Sequence, residues 1–273
     1  MKIFIDSADL EQIAKARSYG ILNGVTTNPS LIKKAVQKLQ GRGEQVDMRR
    51  YLEQLLTEAG DVPVSLEVIG SDYEAMVREG RFLFRTFNPA AGNVYVKIPV
   101  DPAFSRGSDK HFDGLRAIRT LAGEGVPVNC TLIFSPEQAM LAAKAGAGIV
   151  SPFAGRVDDY LRSANAISFA KDDYFPAQGL QGAEVPDMDG IVSGIDLVSQ
   201  CVDLLEHYGL HAEVLAASLR NPRQTREAAL AGAHIATLPF PVIEELLQQE
   251  KSMEGMRGFT EDVIPEYAEL LGR

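Results

Sequence analysis

Cysteine is scarce in this chain, which has two among 273 residues, and tryptophan is absent. Cys130 and Cys201 are too few for a disulfide framework and show no metal-ligand spacing. No apolar run reaches the length of a transmembrane helix. The first residues, MKIFIDSADL, reach Asp6 too early for a signal peptide. We therefore expect a cytoplasmic protein.

Positive charge is also in short supply, with 27 Lys and Arg against 37 Asp and Glu and a net charge of −10. This balance argues against nucleic acid or an anionic membrane as a partner, although a local basic pocket could still bind a phosphate. The hydrophobic share of 45% is typical of globular proteins.

Nucleotide-binding motifs are missing as well: no G-x-G-x-x-G follows the first strand, and no Walker loop occurs. Amphipathic helical segments alternate with eight β-rich runs, which are KIFID (2–6), GVTTN (24–28), PVSLEV (63–68), NVYVKI (93–98), PVNCTLI (127–133), AGIVSPF (147–153), AEVLAAS (212–218) and HIATLPF (234–240). Strict alternation predicts a parallel sheet covered by helices, and eight strands favour a (β/α)8 barrel over a doubly wound sheet.

We predict an α/β protein in which residues 1–273 form a single (β/α)8 TIM-barrel domain with extra loops. A C-terminal helical extension covers about 255–273 and includes the pattern FTEDVIPEYAELLGR. Residues 161–192, rich in Gly, Pro and Asp, are predicted to be irregular. Such a stretch is either a functional lid or interface loop, or a tolerated surface insertion.

A lysine lies in the middle of the apolar run NVYVKI. Strand alternation places Val96 on the helix-covered face and Lys97 inside the barrel, near its active end. A lysine stem lying along apolar surface is the alternative interpretation. Burial and nearby cations lower a lysine pKa, and a neutral amine attacks a carbonyl to form a Schiff base.

Other strand ends supply polar side chains that such chemistry needs. They are Asp6, Asn28, Ser65, Glu67, Asn129, Thr131, Ser151 and Ser218. A helix-capping role competes for Asn28, which precedes Pro29. Cys130 has the opposite phase and is predicted to be a packing residue. Arg156 and Arg220 follow strands six and seven, near the phosphate corner common in these barrels. No histidine–carboxylate spacing indicates a metal site.

At these residues the chain resembles the transaldolase family, which includes short transaldolases and fructose-6-phosphate aldolases. The matching stretches are FIDSADL, GVTTNPSLI, VYVKIP, VNCTLIFSPEQA, AGAGIVSPFAGRVDD and VLAASLRNPRQ. The resemblance implies a (β/α)8 class I aldolase without a cofactor or a metal. It also implies transfer of a dihydroxyacetone unit from fructose 6-phosphate or sedoheptulose 7-phosphate to an aldose phosphate in the pentose phosphate route.

The resemblance further implies a role for each site residue. Lys97 is the Schiff-base lysine, Asp6 the acid/base, and Glu67 and Thr131 hold a water for proton transfer. The implied substrate-binding residues are Asn28, Asn129, Ser151 and Phe153, and the implied phosphate-binding residues are Arg156, Ser218 and Arg220.

Two positions favour a transaldolase within the family. The aldolases typically have glutamine where Glu67 stands and tyrosine where Phe153 stands. A fructose-6-phosphate aldolase, a transaldolase acting on a sulfonated sugar phosphate, and a non-catalytic sugar-phosphate-binding barrel are the alternatives. Lys97 held in a salt bridge within a blocked pocket would favour the last. The resemblance also implies a homo-oligomer, either a pentamer or decamer as in short members or a dimer.

Overall fold

The structure, a computed structural model, describes residues 1–180 and 188–273. Within them eight parallel strands close into a barrel in chain order. They are β1 (Lys2–Asp6), β2 (Leu22–Thr26), β3 (Val64–Glu67), β4 (Val94–Pro99), β5 (Val128–Ile133), β6 (Ile149–Pro152), β7 (Glu213–Ala216) and β8 (Ile235–Leu238). The predicted (β/α)8 barrel is confirmed, and each strand overlaps the run predicted for it.

Twelve helices accompany these strands in the described part of the chain. They are α1 (Leu10–Ser18), α2 (Pro29–Gly41), α3 (Met48–Ala59), α4 (Tyr73–Ala91), α5 (Asp113–Gly123), α6 (Pro136–Ala145), α7 (Ala154–Ala164), α8 (Gly194–His207), α9 (Pro222–Leu230), α10 (Phe240–Glu245), α11 (Glu250–Glu261) and α12 (Pro265–Leu270). Several begin at a side-chain cap; Asp9, for example, accepts hydrogen bonds from the backbone N–H groups of Glu11 and Gln12. None of the helices within 1–180 and 188–273 combines the length and apolarity needed to span a bilayer.

Strand alternation divides the apolar residues into two layers. Outward-facing side chains such as Val96, Ile98 and Cys130 are buried against the helices. A second cluster fills the interior of the barrel with Phe4, Ile149, Leu215, Ala217 and Ile235. Because Tyr95 packs on this interior cluster, Lys97, two residues further along the same strand, faces inward as predicted. Cys130 is a packing residue, as its phase predicted.

The interior cluster depends on a glycine in β2. A Cβ atom at Gly24 would lie 2.3 Å from the ring of Phe4, well inside contact distance. The phenyl ring therefore occupies the space that any other residue at position 24 would need. This packing fills the barrel below the level of the polar side chains.

One predicted boundary was wrong. The irregular stretch does not begin at residue 161, because α7 continues to Ala164; of the remainder, residues 181–187 lie outside the described part. The predicted C-terminal helical extension is present. It forms α11 and α12, separated before Pro265, which cannot continue a helix but suits the first turn of a new one.

Candidate active site

The predicted polar side chains meet at the carboxyl end of the barrel, where strand register brings them together. Glu67 pairs with Lys97 across β3 and β4, and Lys97 pairs with Asn129 across β4 and β5. Asp6 pairs with Thr26 across β1 and β2. Side chains on paired residues of adjacent strands point to the same face, so these groups share the barrel mouth.

Lys97 is 4% exposed, and its ammonium lies beside an acceptor on the neighbouring strand β3 and another on the residue that follows β2. The Nζ atom is 3.0 Å from Glu67 Oε2 and donates to the carbonyl oxygen of Thr27 at 3.2 Å. The ring centroid of Phe153 is 6.0 Å away. Lys97 is thus in a salt bridge. Its partner Glu67 is partly exposed and also borders a surface groove of about 450 Å³, which is lined mainly by residues of α2.

Asp6 lies at the end of β1, where Thr26 of β2 contacts it directly and Thr237 of β8 contacts Thr26. Thr26 donates to Asp6 Oδ1 at 2.8 Å, and the hydroxyl oxygens of Thr26 and Thr237 are 2.5 Å apart. Burial raises the pKa of Asp6, while the Thr26 hydrogen bond and the charges of Lys97 and Lys34 lower it. Sequence reasoning missed Thr26 and Thr237, although each has the inward phase of its strand.

A second hydrogen-bonded set lies on the opposite side of Lys97. Asn129 donates to Ser65 Oγ at 3.0 Å and accepts from Ser151 Oγ at 2.7 Å. These contacts fix the orientation of the amide. Thr131 is also buried, and its Oγ1 has no hydrogen-bond partner among the described residues. A buried hydroxyl of this kind is available to a water molecule or a substrate oxygen.

Asn28 does not end β2, as the sequence predicted, but caps α2. Its Oδ1 accepts a hydrogen bond from the Leu31 backbone N–H at 3.0 Å, which is the competing capping role. The strand stops at Thr26, and α2 begins three residues later at Pro29. Cap formation uses the amide oxygen and leaves the amide nitrogen as a donor.

The predicted phosphate residues gather where β6 and β7 end. The backbone of Ser218 has a φ of 63°, a left-handed conformation that is unusual for a serine. A Cβ atom at Gly155 would lie 2.1 Å from the Ser218 carbonyl oxygen. Only glycine therefore allows the first turn of α7 to approach this loop so closely. Arg156 is exposed on the same turn, 5.1 Å from the Phe153 ring centroid.

The guanidinium of Arg220 is already engaged by a carboxylate. Its Nη1 and Nη2 donate to the two oxygens of Asp159, each at 2.5 Å, and Nη1 also donates to the Lys171 carbonyl oxygen at 3.0 Å. Its Nε is buried and has no partner among the described residues. Sequence reasoning found Arg220 but missed Asp159, because a carboxylate on a helix following the strand ordinarily indicates a solvated charge.

The adjacent residue, Asp158, is 1% exposed and anchors the same loop. It accepts hydrogen bonds from the Gly194 backbone N–H at 2.7 Å and from Gln224 Nε2 at 2.6 Å. Gln224 Oε1 in turn accepts from the Arg220 backbone N–H at 2.9 Å. Burial raises the pKa of Asp158 to about 6, while these donors and nearby Arg162 lower it.

The raised pKa of Asp158 predicts a pH-dependent stability. Between its ordinary pKa of 3.8 and about 6 the folded protein binds the proton more tightly than the unfolded chain does. Stability contributed by this group therefore falls as pH rises through that range, by about 3 kcal/mol in total. The measurement is urea unfolding of the unmodified protein and of Asp158→Asn at several pH values. The unfolding free energy of the unmodified protein minus that of the variant should decline as pH rises. A difference that is flat or rises with pH would contradict this.

Across 1–180 and 188–273 no group of three His, Cys, Asp or Glu side chains is arranged to hold a metal ion. The two cysteines are free and buried, and burial raises the pKa of both thiols, that of Cys201 to about 12.

The chain therefore has a (β/α)8 fold whose mouth combines a buried lysine, two carboxylates and two basic side chains. Its residues 3–269 match the family model described as Transaldolase/Fructose-6-phosphate aldolase. It is 40% identical over 262 residues to a probable transaldolase of Chlorobium phaeobacteroides (strain DSM 266 / SMG 266 / 2430), covering 96% of each chain. Probable transaldolases of Clostridium perfringens (strain 13 / Type A) and Aquifex aeolicus (strain VF5) are each 38% identical, covering 96% of this chain and 97% and 96% of theirs.

The chain belongs to the transaldolase/fructose-6-phosphate aldolase family, and it is an enzyme. The resemblance inferred from its motifs is confirmed.

Proposed function

We propose that this enzyme transfers a dihydroxyacetone unit from a ketose phosphate, fructose 6-phosphate or sedoheptulose 7-phosphate, to an aldose phosphate through a Schiff base on Lys97. The observation that carries this proposal is the position of the Lys97 amine, buried in the barrel mouth 3.0 Å from Glu67. A carboxylate at that distance is placed to take a proton from the ammonium. A lysine freed of its proton is the nucleophile that carbonyl chemistry needs.

Imine formation is the first proposed step. The neutral Lys97 amine attacks the ketose carbonyl, and the carbonyl oxygen leaves as water after gaining protons. Glu67 Oε2 touches the amine directly, and the unpartnered hydroxyl of Thr131 is buried on the neighbouring strand. We propose that these two groups hold the water that carries protons between the nitrogen and the leaving oxygen.

Carbon–carbon cleavage follows with Asp6 as the base. Asp6 takes the proton from the hydroxyl on the carbon beyond the bond to be cut. The bond's electron pair moves into the protonated imine, an aldehyde leaves, and the three-carbon fragment remains on Lys97 as an enamine. Burial raises the pKa of Asp6, which makes this carboxylate a better proton acceptor than an ordinary aspartate.

The remaining predicted residues bind the rest of the sugar. The orientation of Asn129 is fixed by Ser65 and Ser151, which supports a role in binding the dihydroxyacetone hydroxyls together with the free amide nitrogen of Asn28. Arg156, Ser218 and Arg220 lie around the first turn of α7, where unpaired N–H groups favour an anion. We propose that they bind the phosphate.

Phe153 and Glu67 favour transfer over simple cleavage. The Phe153 ring lies 6.0 Å from Lys97 Nζ and carries no hydroxyl that could protonate the enamine. The fragment would then persist until an acceptor aldehyde arrives. The alternative, a fructose-6-phosphate aldolase, requires efficient protonation and release of free dihydroxyacetone.

A coupled assay with and without acceptor separates these activities. We expect turnover of fructose 6-phosphate to depend on erythrose 4-phosphate, with at most a few per cent of that rate in its absence, estimated from the about 10²-fold effect of one missing proton donor. The measurement is aldehyde phosphate release, with free dihydroxyacetone quantified in parallel. Equal rates with and without acceptor, accompanied by free dihydroxyacetone, would replace the transaldolase assignment with the aldolase. If fructose 6-phosphate is not turned over with or without acceptor, but a sulfonated sugar phosphate is, the enzyme is instead a transaldolase for sulfonated sugar phosphates.

We further propose that the chain is one barrel domain that acts as a cytoplasmic homo-oligomer. Helices α11 and α12 have no buried residues, and they expose several large apolar side chains, namely Met253, Met256, Phe259, Tyr267 and Leu270. An exposed apolar surface of this kind supports a contact between subunits.

A further inference from the structure

Two consecutive carboxylates on α7 hold the loop that carries Arg220. Asp158 holds its backbone through Gln224, which accepts from the Arg220 N–H at 2.9 Å. Asp159 holds its side chain by two hydrogen bonds of 2.5 Å. The arginine side chain is 9% exposed, so its geometry is set by protein contacts rather than by solvent.

The hydrogen bonds of Arg220 use one part of the guanidinium and leave another free. A guanidinium has five N–H groups in a planar fork. Asp159 takes one from Nη1 and one from Nη2, along the terminal edge, and the Lys171 carbonyl takes the other N–H of Nη1. Two remain: the N–H of Nε and the outer N–H of Nη2, which point in the same direction. This lateral edge matches two oxygens of a phosphoryl group.

The free edge faces the proposed phosphate site. Nε is buried and has no partner within residues 1–180 and 188–273. A Cβ atom built on Gly155 would lie 3.0 Å from this Nε and 3.1 Å from Ser218 Oγ, so the Nε–H group and the Ser218 hydroxyl both lie close against the first turn of α7. The first turn of α7 has no side-chain cap and contributes its own N–H groups there.

We propose that Asp159 is a positioning residue, which occupies the terminal edge of Arg220 so that the lateral edge meets the substrate phosphate. This inference rests on the proposed phosphate-binding role of Arg220. The Lys171 carbonyl fixes the remaining Nη1 hydrogen, which joins the segment after α7 to the same arrangement. Asp159 itself does not touch the substrate.

The sign of the effect distinguishes positioning from simple charge. If Asp159 acted only through its negative charge, its removal would strengthen phosphate binding, because like charges repel. If it positions Arg220, its removal frees a buried arginine to turn, and phosphate binding weakens. Arg162 Nη1, 3.9 Å from Asp159 Oδ1, is the other cation beside this carboxylate.

Steady-state kinetics of Asp159→Ala on fructose 6-phosphate test the proposal. We expect KM to rise about tenfold with kcat within about twofold, because a ground-state contact to a non-reacting group is lost. Asp159→Asn keeps one oxygen that can accept from an Nη, and it should show a smaller rise. Unphosphorylated fructose, assayed at high enzyme concentration, should show no change in kcat/KM beyond about twofold in either variant.

A double variant with Arg220→Ala completes the test. Arg220→Ala alone should raise KM for fructose 6-phosphate at least as much as Asp159→Ala, and combining them should add no more than about twofold. A lower KM in Asp159→Ala, or an undiminished effect in the Arg220→Ala background, would overturn the positioning role. If Arg220→Ala alone leaves KM unchanged, the phosphate assignment itself fails.

A matched variant controls for the loss of an ion pair as such. Glu124 forms a bidentate pair with Arg81 at the far end of α5, away from the barrel mouth. Glu124→Ala should leave both kinetic constants unchanged. Thermal unfolding of all variants identifies any that fails to fold. If Asp159→Ala fails to fold, inhibition of Asp159→Asn by inorganic phosphate provides the same comparison.

Discussion

Lys97→Ala should lose all borohydride trapping with fructose 6-phosphate, and activity should fall on the order of 10⁵-fold, as expected when a covalent nucleophile is removed. In the unmodified protein the same treatment should add a dihydroxyacetone-derived mass to the peptide that contains Lys97. Under the proposed mechanism the imine forms on the buried Lys97 amine, and alanine has no nitrogen that could replace it. Mass spectrometry of the reduced peptide is the measurement.

Lys97→Arg provides the matched control. It keeps the positive charge opposite Glu67, so that carboxylate is not left unpaired, but a guanidinium remains protonated in proteins. We expect this variant to fold and to show no trapped mass. A sugar adduct in Lys97→Ala or Lys97→Arg, at any other lysine and with activity retained, would show that the Schiff base forms elsewhere.

Asp6→Asn should leave the lysine reactive but stop the reaction one step later. An amide cannot accept the hydroxyl proton, so kcat should fall by about 10²–10⁴-fold. Borohydride should now trap the whole six-carbon sugar phosphate on Lys97 rather than the three-carbon fragment. Since burial raises the pKa of Asp6, activity of the unmodified enzyme should decline on the acid side at a pH above the usual aspartate range.

Asp9→Asn is the control for this substitution. Asp9 lies three residues along the chain and caps α1, and asparagine caps a helix about as well as aspartate does. We expect activity within about twofold of the unmodified enzyme, as for a retained cap. A three-carbon adduct of unchanged yield in Asp6→Asn would assign the base to another group.

The fold was predictable because alternation is a local signal. Both faces of a barrel strand are covered, so inward and outward residues differ in type along each strand; Val96 and Lys97 show this directly. The cap at Asp9 is equally local, because the backbone N–H groups that it accepts from belong to Glu11 and Gln12. Boundaries were less accurate where a cap and a strand end compete, as at Asn28.

Contacts between distant parts of the chain were not predictable. Asp159 meets Arg220 across 61 positions, and Thr26 meets Thr237 across 211. Neither pair has a spacing that a single sequence reveals, because the contacts depend on how the closed barrel aligns its strands and loops. The inward phase of Thr26 in its strand could have indicated a place in the site. The proposed role of Asp159 could be inferred only from the orientation of the Arg220 guanidinium.

The ring of Phe4 against Gly24, with Ile149, Leu215 and Ile235 beside it, seals the floor of the barrel under Lys97. Substrates therefore reach the Lys97 amine from the carboxyl end of the barrel. Under the proposed reaction the aldehyde produced first has to depart by the route along which the second aldehyde enters, while the tethered fragment waits between them. The leaving aldehyde and the acceptor aldehyde then occupy the same pocket one after the other.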